Sequence, residues 1–180
     1  PEVMTEAAGL GAGLLNDVRA LGKPGELQAA AETQLPVCLM HMKGSPATMQ
    51  DQPEYVDVVE EVEAFLMQRL RACETEGITK DRIIFDPGFG FGKTVKHNLR
   101  LLNNLKRLNA LGCPLLIGTS RKSMIGAILG RDVDARLSGS LATVAVSVMQ
   151  GAGIVRVHDV AETVDVVKMT SAVMAERIES

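Results

Sequence analysis

The sequence predicts an α/β protein built on a parallel sheet, with a leading helix followed by about five strand–helix units. Three observations lead there. Short, nearly continuous apolar runs recur along the 180 residues, as expected of strands covered on both faces. Between them lie stretches whose apolar residues fall three and four apart, the period of a helix with one buried face. No repeat longer than the strand–helix unit and no linker interrupts the alternation, so residues 1–180 read as a single domain or part of one.

Pro1 followed by Glu2 to Ala8 reads as a short helix ended by Gly9 and Gly11. Gly13 to Val18 reads as a strand, and Pro24 and Gly25 open a second, Ala-rich helix. Pro36 to His41 has strand length, and a loop from Lys43 to Pro53 follows. The longest helix is predicted from Tyr55 to about Glu76, where Tyr55, Val58, Val59, Val62, Phe65, Leu66 and Leu70 form one stripe and Gly77 stops it. Ile83 to Asp86 is a strand, Pro87 to Lys93 a glycine-rich loop, and His97 to Leu111 one helix closed by Gly112. Pro114 to Thr119 is the next strand, followed by a connection with a short helix to Leu129 and a helix from about Ser138 to Gly151. Ile154 to His158 is the last strand. Asp159 then starts the final helix, with Glu162 placed to complete a capping box.

The composition, 46% hydrophobic and 23% charged, is that of an ordinary globular chain. Nineteen Lys+Arg against 22 Asp+Glu give a formal charge of −3. That balance excludes holding nucleic acid by bulk electrostatics and excludes a polybasic membrane-surface protein. No apolar run approaches the ~20 residues that span a bilayer. Four Phe, one Tyr and no Trp leave the core to aliphatic residues and Met. Cys38, Cys73 and Cys113 form no C-x-x-C and lie in or beside apolar runs, so they read as reduced, buried thiols of a cytoplasmic protein. No basic-then-apolar leader is legible, and no secretion signal is expected. Pro1 opens the chain and the first methionine is Met4, so the N-terminus does not read as a translation start.

Parallel strands put their carboxyl ends on one edge of the sheet, where α/β proteins bind ligands whether the sheet is open or closed. Each apolar run here ends in groups that an unused strand end would not need: Asn16-Asp17, Met40-His41, Asp86, Thr119-Ser120 with Lys122, and Arg156 with His158. Asn16 and Asp86 offer an amide and acceptors that suit the donor–acceptor edge of a flat heterocycle. Lys122, Arg156 and His158 suit an anion, or the charge that grows on a leaving group. Singly, each residue has a plainer reading. Asp86 before Pro87 starts a turn, Asn16 is a loop amide, and Arg156 and His158 alternate with apolar residues as a solvated strand face does. The recurrence at every strand end favours the functional reading. There is no carboxylate pair with nucleophile spacing and no G-x-S-x-G, so hydrolysis by those routes is not supported. No His/Cys/Asp/Glu cluster has zinc spacing, and His41 and His97 read as loop and helix-start residues.

The loop Gly88-Phe89-Gly90-Phe91-Gly92-Lys93-Thr94 mimics a phosphate-binding P-loop, but that pattern requires glycine where Pro87 stands. Its glycines are expected instead to let the backbone approach a ligand, with Phe89 and Phe91 as aromatic faces.

Five runs together resemble dihydropteroate synthase: Leu15-Asn16-Asp17-Val18-Arg19-Ala20-Leu21, Met40-His41-Met42-Lys43-Gly44, Asp86-Pro87-Gly88-Phe89-Gly90-Phe91-Gly92-Lys93, Gly118-Thr119-Ser120-Arg121-Lys122-Ser123 and Arg156-Val157-His158-Asp159. They occur in family order from end to end of the chain. The resemblance implies a TIM (β/α)8 barrel that condenses 6-hydroxymethyl-7,8-dihydropterin pyrophosphate with p-aminobenzoate, giving 7,8-dihydropteroate and pyrophosphate. It implies a Mg2+-dependent, homodimeric, sulfonamide-sensitive enzyme of folate biosynthesis.

Residue by residue, it implies that Asn16, Met40, Asp86, Gly118, Lys122 and Arg156 bind the pterin, Asp86 pairing with its amino and ring N–H groups and Arg156 stacking over the ring. Gly90, Phe91, Lys122 and Ser123 would line the p-aminobenzoate pocket. Arg156, Val157 and His158 would hold the pyrophosphate, and Lys122, Arg156 and His158 would carry the catalysis. A pterin-binding methyltransferase of the same barrel type, or a non-catalytic pterin-binding fragment, are the alternatives.

A full barrel has eight strands and about 250 residues, so the resemblance implies an incomplete barrel of about five units, beginning at the helix before the fourth strand. The metal ligand of the family then lies outside this chain. An open sheet leaves two strand edges and an apolar face uncovered, so the chain is expected to self-associate, to pair with a missing fragment or to be part of a longer protein. Alone it is expected to be weakly active or inactive.

Overall fold

In a computed structural model, residues 1–44 and 53–177 are described. Most of the loop expected from Lys43 to Pro53 lies outside them. The chain runs α1 (Glu2–Gly9), β1 (Leu15–Asp17), α2 (Glu26–Thr33), β2 (Val37–Met40), α3 (Val58–Thr75), β3 (Ile83–Asp86), α4 (Val95–Asn103), α5 (Leu105–Asn109), β4 (Leu116–Ile117), α6 (Ser123–Leu129), α7 (Leu137–Met149), β5 (Ile154–Val155) and α8 (Val160–Ala175). The predicted strands and helices are all present, though every strand except β3 is shorter than its apolar run.

β1, β2 and β3 pair in parallel, with Asn16 opposite Cys38 and Met40 opposite Asp86. β4 and β5 pair in parallel, with Leu116 opposite Ile154. A parallel bridge between Phe85 and Leu115 joins the two groups, and the Phe85 N–H donates to the Pro114 carbonyl at 2.9 Å. Neighbours in space are therefore neighbours in sequence throughout. The described strands show no order reversal of the kind that marks a doubly wound sheet.

Side chains alternate across a strand, so this register fixes two faces. Leu15, Val37, Leu39, Ile83, Phe85, Leu115 and Ile117 face the helices and belong to the buried core, with Val59, Val62, Leu66 and Leu70 of α3 and Leu101 of α4. Asn16, Cys38, Met40, Ile84, Asp86, Leu116, Gly118, Ile154 and Arg156 fall on the other face. The apolar face of the helices thus positions the polar face of the sheet. Each fully buried leucine such as Leu66 contributes roughly 1.5–3 kcal/mol of transfer free energy to that arrangement.

Three expectations are corrected. The long helix begins at Val58, because the Asp57 carboxylate accepts from the Val59 and Glu60 N–H groups and fixes Asp57 as the N-cap; Tyr55 lies before it. The helix expected from His97 to Leu111 is two helices broken at Asn104 (φ −122°, ψ 21°). Its amide donates to the Arg100 carbonyl at 2.7 Å, the local side-chain competition that interrupts helices. The capping box at Asp159 and Glu162 does not form, because the Asp159 carboxylate is taken by Arg121. A capping box forms instead between Thr94 and His97 at the start of α4. Cys38, Cys73 and Cys113 are free and buried, as expected. Among the described residues no helix is long and apolar enough to cross a membrane.

Candidate active site at the strand ends

The loop after β3 is folded onto the chain after β2. Gly88 has φ +70°, and a Cβ there would sit 1.8 Å from the His41 carbonyl oxygen. At Gly92 a Cβ would lie 2.2 Å from the Lys43 carbonyl oxygen. These two glycines admit the protein's own backbone, not a ligand as their sequence context suggested. Phe89 is likewise corrected: it is buried in the core, which leaves Phe91 as the loop's aromatic face.

Lys93, the residue that mimicked a P-loop lysine, is turned inward and only 3% exposed. Its ammonium donates to the Gly88 carbonyl at 2.9 Å, the Phe91 carbonyl at 3.1 Å and the His41 carbonyl at 3.3 Å, and meets His41 Nδ1 at 2.9 Å. Burial pushes Lys93 down to about 7, while Asp86 favours its charged form. Burial, and then the neighbouring Lys93, push His41 down to about 3. Asn98 accepts from the Gly90 N–H at 2.8 Å, and Tyr55 donates to the Gly92 carbonyl at 2.8 Å. So anchored, the loop sets the Phe91 ring 4.3 Å from Lys122 Nζ, which also donates to the Phe89 carbonyl at 2.6 Å.

The loops after β4 and β5 are joined at two successive residues. Ser120 Oγ lies 2.9 Å from His158 Nδ1 and accepts from the His158 N–H at 3.3 Å. The Arg121 guanidinium meets both Asp159 carboxylate oxygens, at 2.5 and 3.1 Å. Arg121 has φ +56°, a left-handed conformation that costs a residue with a side chain on the order of 1–3 kcal/mol. Its N–H donates to Ser140 Oγ and its carbonyl accepts from Arg136, both at 2.9 Å, and these contacts offset the strain.

Gly118, Ser120, Lys122, Arg156, Val157 and His158 line a cleft of about 360 Å3. A Cβ on Gly118 would be 3.7 Å from the Arg156 guanidinium, which lies along it. Asp86, within electrostatic reach of Lys122 and Arg156, is only 4% exposed. Its Oδ1 accepts from the Gly88 N–H at 2.7 Å. Burial pushes its carboxyl up from the usual carboxylate range, opposed by that hydrogen bond and by the cations of Lys122, Arg156 and Lys93. Lys122 is in turn pushed down by burial, with Asp86 opposing and Arg156 adding to the shift. Asp86 also helps burial push Cys38 up, to about 12. A buried carboxyl within electrostatic reach of two cleft cations can pair with donors on a flat polar ring, and the cations can meet an anionic group at its edge.

Of the residues singled out from the sequence, Asp86, Lys122, Arg156, Gly118, Val157 and His158 come together, with Gly90 and Phe91 against Lys122. Met40 is buried beside Asp86 across the β2–β3 pair. Asn16 shares the face, two strands from Asp86, and is exposed, as is Ser123 at the start of α6. Sequence reasoning missed the Lys93–His41 pair, the two-residue junction of Ser120 and Arg121 with His158 and Asp159, and Asn98. The only local signal was a lysine directly after a glycine-rich loop, and it pointed to phosphate.

The family model for pterin binding enzymes matches residues 1–158. Dihydropteroate synthase of Escherichia coli K12 is 50% identical over 177 residues, which are 98% of this chain and 63% of that protein. The crystal structure of the Yersinia pestis dihydropteroate synthase in a sulfonamide drug complex superposes with a TM-score of 0.95 at 46% identity, covering 98% of this chain and 64% of that one. The Xanthomonas albilineans dihydropteroate synthase in complex with 7,8-dihydropteroate gives a TM-score of 0.90 at 49% identity, covering 97% and 64%. The same enzyme with 4-aminobenzoic acid gives 0.91 at 49%, covering 97% and 62%. The chain spans a little under two thirds of the length of the relatives it matches. With the strand-end residues on one face and a family match running through β5, the chain belongs to the pterin binding enzyme family.

Proposed function

We infer that this chain carries the pterin, p-aminobenzoate and pyrophosphate subsites of a dihydropteroate synthase, a transferase that joins 6-hydroxymethyl-7,8-dihydropterin pyrophosphate to p-aminobenzoate. The observation that carries the reading is the buried Asp86 carboxyl within electrostatic reach of Lys122 and Arg156, which line the same cleft as His158. Asp86 accepts from the pterin amino and ring N–H groups, and Asn16 and Met40 border the same ring. Arg156 stacks over the ring above Gly118. Arg156, Val157 and His158 hold the pyrophosphate. Gly90, Phe91, Ser123 and the Lys122 stem form the p-aminobenzoate side.

An aromatic amine is a weak nucleophile, so the barrier falls chiefly by easing pyrophosphate away. The C–O bond to pyrophosphate breaks, a C–N bond forms, and the amine releases a proton. Arg156, Lys122 and His158 stabilise the negative charge that grows on the departing oxygen. The electron-rich pterin bears the positive charge left on carbon while the pocket excludes water. The five parallel strands in unbroken order are then the fourth to eighth strands of an eight-stranded barrel, in one domain over residues 1–180. The magnesium implied by the resemblance meets no group of three His, Cys, Asp or Glu side chains among the described residues. The charged side chains that line the cleft, Lys122 and Arg156, are both cations, so these residues alone do not fit it and no step is routed through it.

The reading includes a cytoplasmic location and a homodimer. The exposed Val146 and Met149 of α7, with Met169, Val173 and Met174 of α8, are the apolar surface that a second copy would cover. A methyltransferase of the same barrel type has no use for the R-x-H pair or for an aminobenzoate side, and nothing observed favours it.

Calorimetry separates the readings. The pterin pyrophosphate is expected to bind, and p-aminobenzoate to bind only once pyrophosphate is present or the pterin product site is occupied. Binding of the pterin with no response to p-aminobenzoate under any condition would point to the methyltransferase. Turnover by the 180-residue chain is expected to be weak, and a normal enzymatic rate would contradict the incomplete-barrel part of the reading.

A further inference from the structure

We propose that Ser120 is a positioning residue: its hydroxyl donates to His158 Nδ1 and so presents the imidazole to the anion as an Nε2–H donor. The inference rests on the reading of His158 as a pyrophosphate ligand and adds to it a residue with a defined task.

A serine hydroxyl has one proton to give and two lone pairs to accept with. The His158 backbone N–H can only donate, and it uses one lone pair of Ser120 Oγ at 3.3 Å. The second contact of the same oxygen is His158 Nδ1 at 2.9 Å. Among the described residues, both hydrogen bonds of the Ser120 hydroxyl go to His158. If Nδ1 carried the ring proton, Oγ would accept twice and its own proton would have no protein acceptor among the described residues, at a residue only 6% exposed. The arrangement that satisfies every group puts the hydroxyl proton on the line to Nδ1, and a neutral imidazole then carries its proton on Nε2.

The neighbouring residues hold this geometry. Arg121 and Asp159, each the next residue along, form a two-point ion pair between the same loops. The strained Arg121 backbone is fixed on both sides by Ser140 and Arg136. Ser120 therefore cannot swing away without breaking contacts that belong to Arg121. Arg156 supplies charge to the anion, and the oriented imidazole supplies direction.

The test uses the 15N-labelled chain and inorganic pyrophosphate. Above the titration of the ring, His158 Nδ1 is expected to resonate as an unprotonated nitrogen and Nε2 as a protonated one. In Ser120→Ala the two nitrogens are expected to move toward a tautomer mixture, with pyrophosphate affinity down about five- to tenfold, the worth of about one hydrogen bond. Ser120→Thr, which keeps the hydroxyl, is expected to restore both. A wild-type Nδ1–H tautomer, or shifts and affinity unchanged in Ser120→Ala while His158→Ala weakens binding, would overturn the role of the serine. Wild-type chain that binds no pyrophosphate would instead overturn the anion-site reading on which the proposal stands.

Discussion

Asp86 sits where burial resists its charge while Lys122, Arg156 and Lys93 favour it. A carboxylate so placed is a strong acceptor waiting for donors. Asp86→Asn keeps the shape and removes the ability to accept from two N–H groups at once. At about 1.5–3 kcal/mol per hydrogen bond to a charged group, pterin affinity is expected to fall at least ~100-fold, read by calorimetry; unchanged affinity would show that the carboxylate does not hold the ring edge. Arg156→Ala is expected to weaken the pyrophosphate-bearing pterin about tenfold more than the pyrophosphate-free pterin; equal losses would reduce its role to stacking. His41 gives a pH dependence. Its ring is held near 3 in the fold against an ordinary value of 6.5, so below pH 6.5 the unfolded chain binds a proton that the folded chain refuses. Stability from this group is present above pH 6.5 and is lost as pH falls toward 3. NMR titration of the His41 ring checks it, and a midpoint near 6.5 would contradict the buried Lys93 contact. Asp86, Lys122 and Arg156 could be read from the sequence because each lies at or just past the end of an apolar run. Ser120 with His158 and Lys93 with His41 pair residues 38 and 52 positions apart, and no local pattern encodes such a pairing.

Among the elements, the loop after β3 carries the greatest constraint. At Gly88 a Cβ would need both a left-handed backbone and a 1.8 Å approach to a carbonyl oxygen. Gly88→Ala is therefore expected to cost at least ~3 kcal/mol of stability and to lower pterin affinity through the displaced Asp86–Gly88 hydrogen bond. Denaturant unfolding and calorimetry on the same sample check both, and wild-type stability would mean that the loop is not packed this tightly. Helix and strand periodicity identified the strands and the helices other than the α4–α5 division, because burial of one face leaves a regular signature. Ends and breaks were less legible. Asp159 looked like a helix cap by position, but a bidentate arginine outcompetes two backbone N–H groups for it. Asn104 breaks a helix whose apolar spacing runs straight through it.

For the whole molecule, alternation of strands and helices predicted the parallel sheet, and the strand-end rule predicted which edge would be polar. The register adds what the sequence left open: Asn16, Asp86, Gly118 and Arg156 fall on one face because strand pairing keeps them in phase. Asn16 is exposed at the β1 end of that face, whereas Asp86 and Arg156 are within electrostatic reach of each other. The account depends on that face being a single ligand mouth. The most direct measurement is a crystal structure of the chain grown with 6-hydroxymethyl-7,8-dihydropterin pyrophosphate. The ring is expected with its N–H edge against Asp86, beneath the Arg156 guanidinium and beside Lys122, with the phosphates toward His158. A ring bound on the helix side of the sheet, or phosphates remote from both Arg156 and His158, would contradict it.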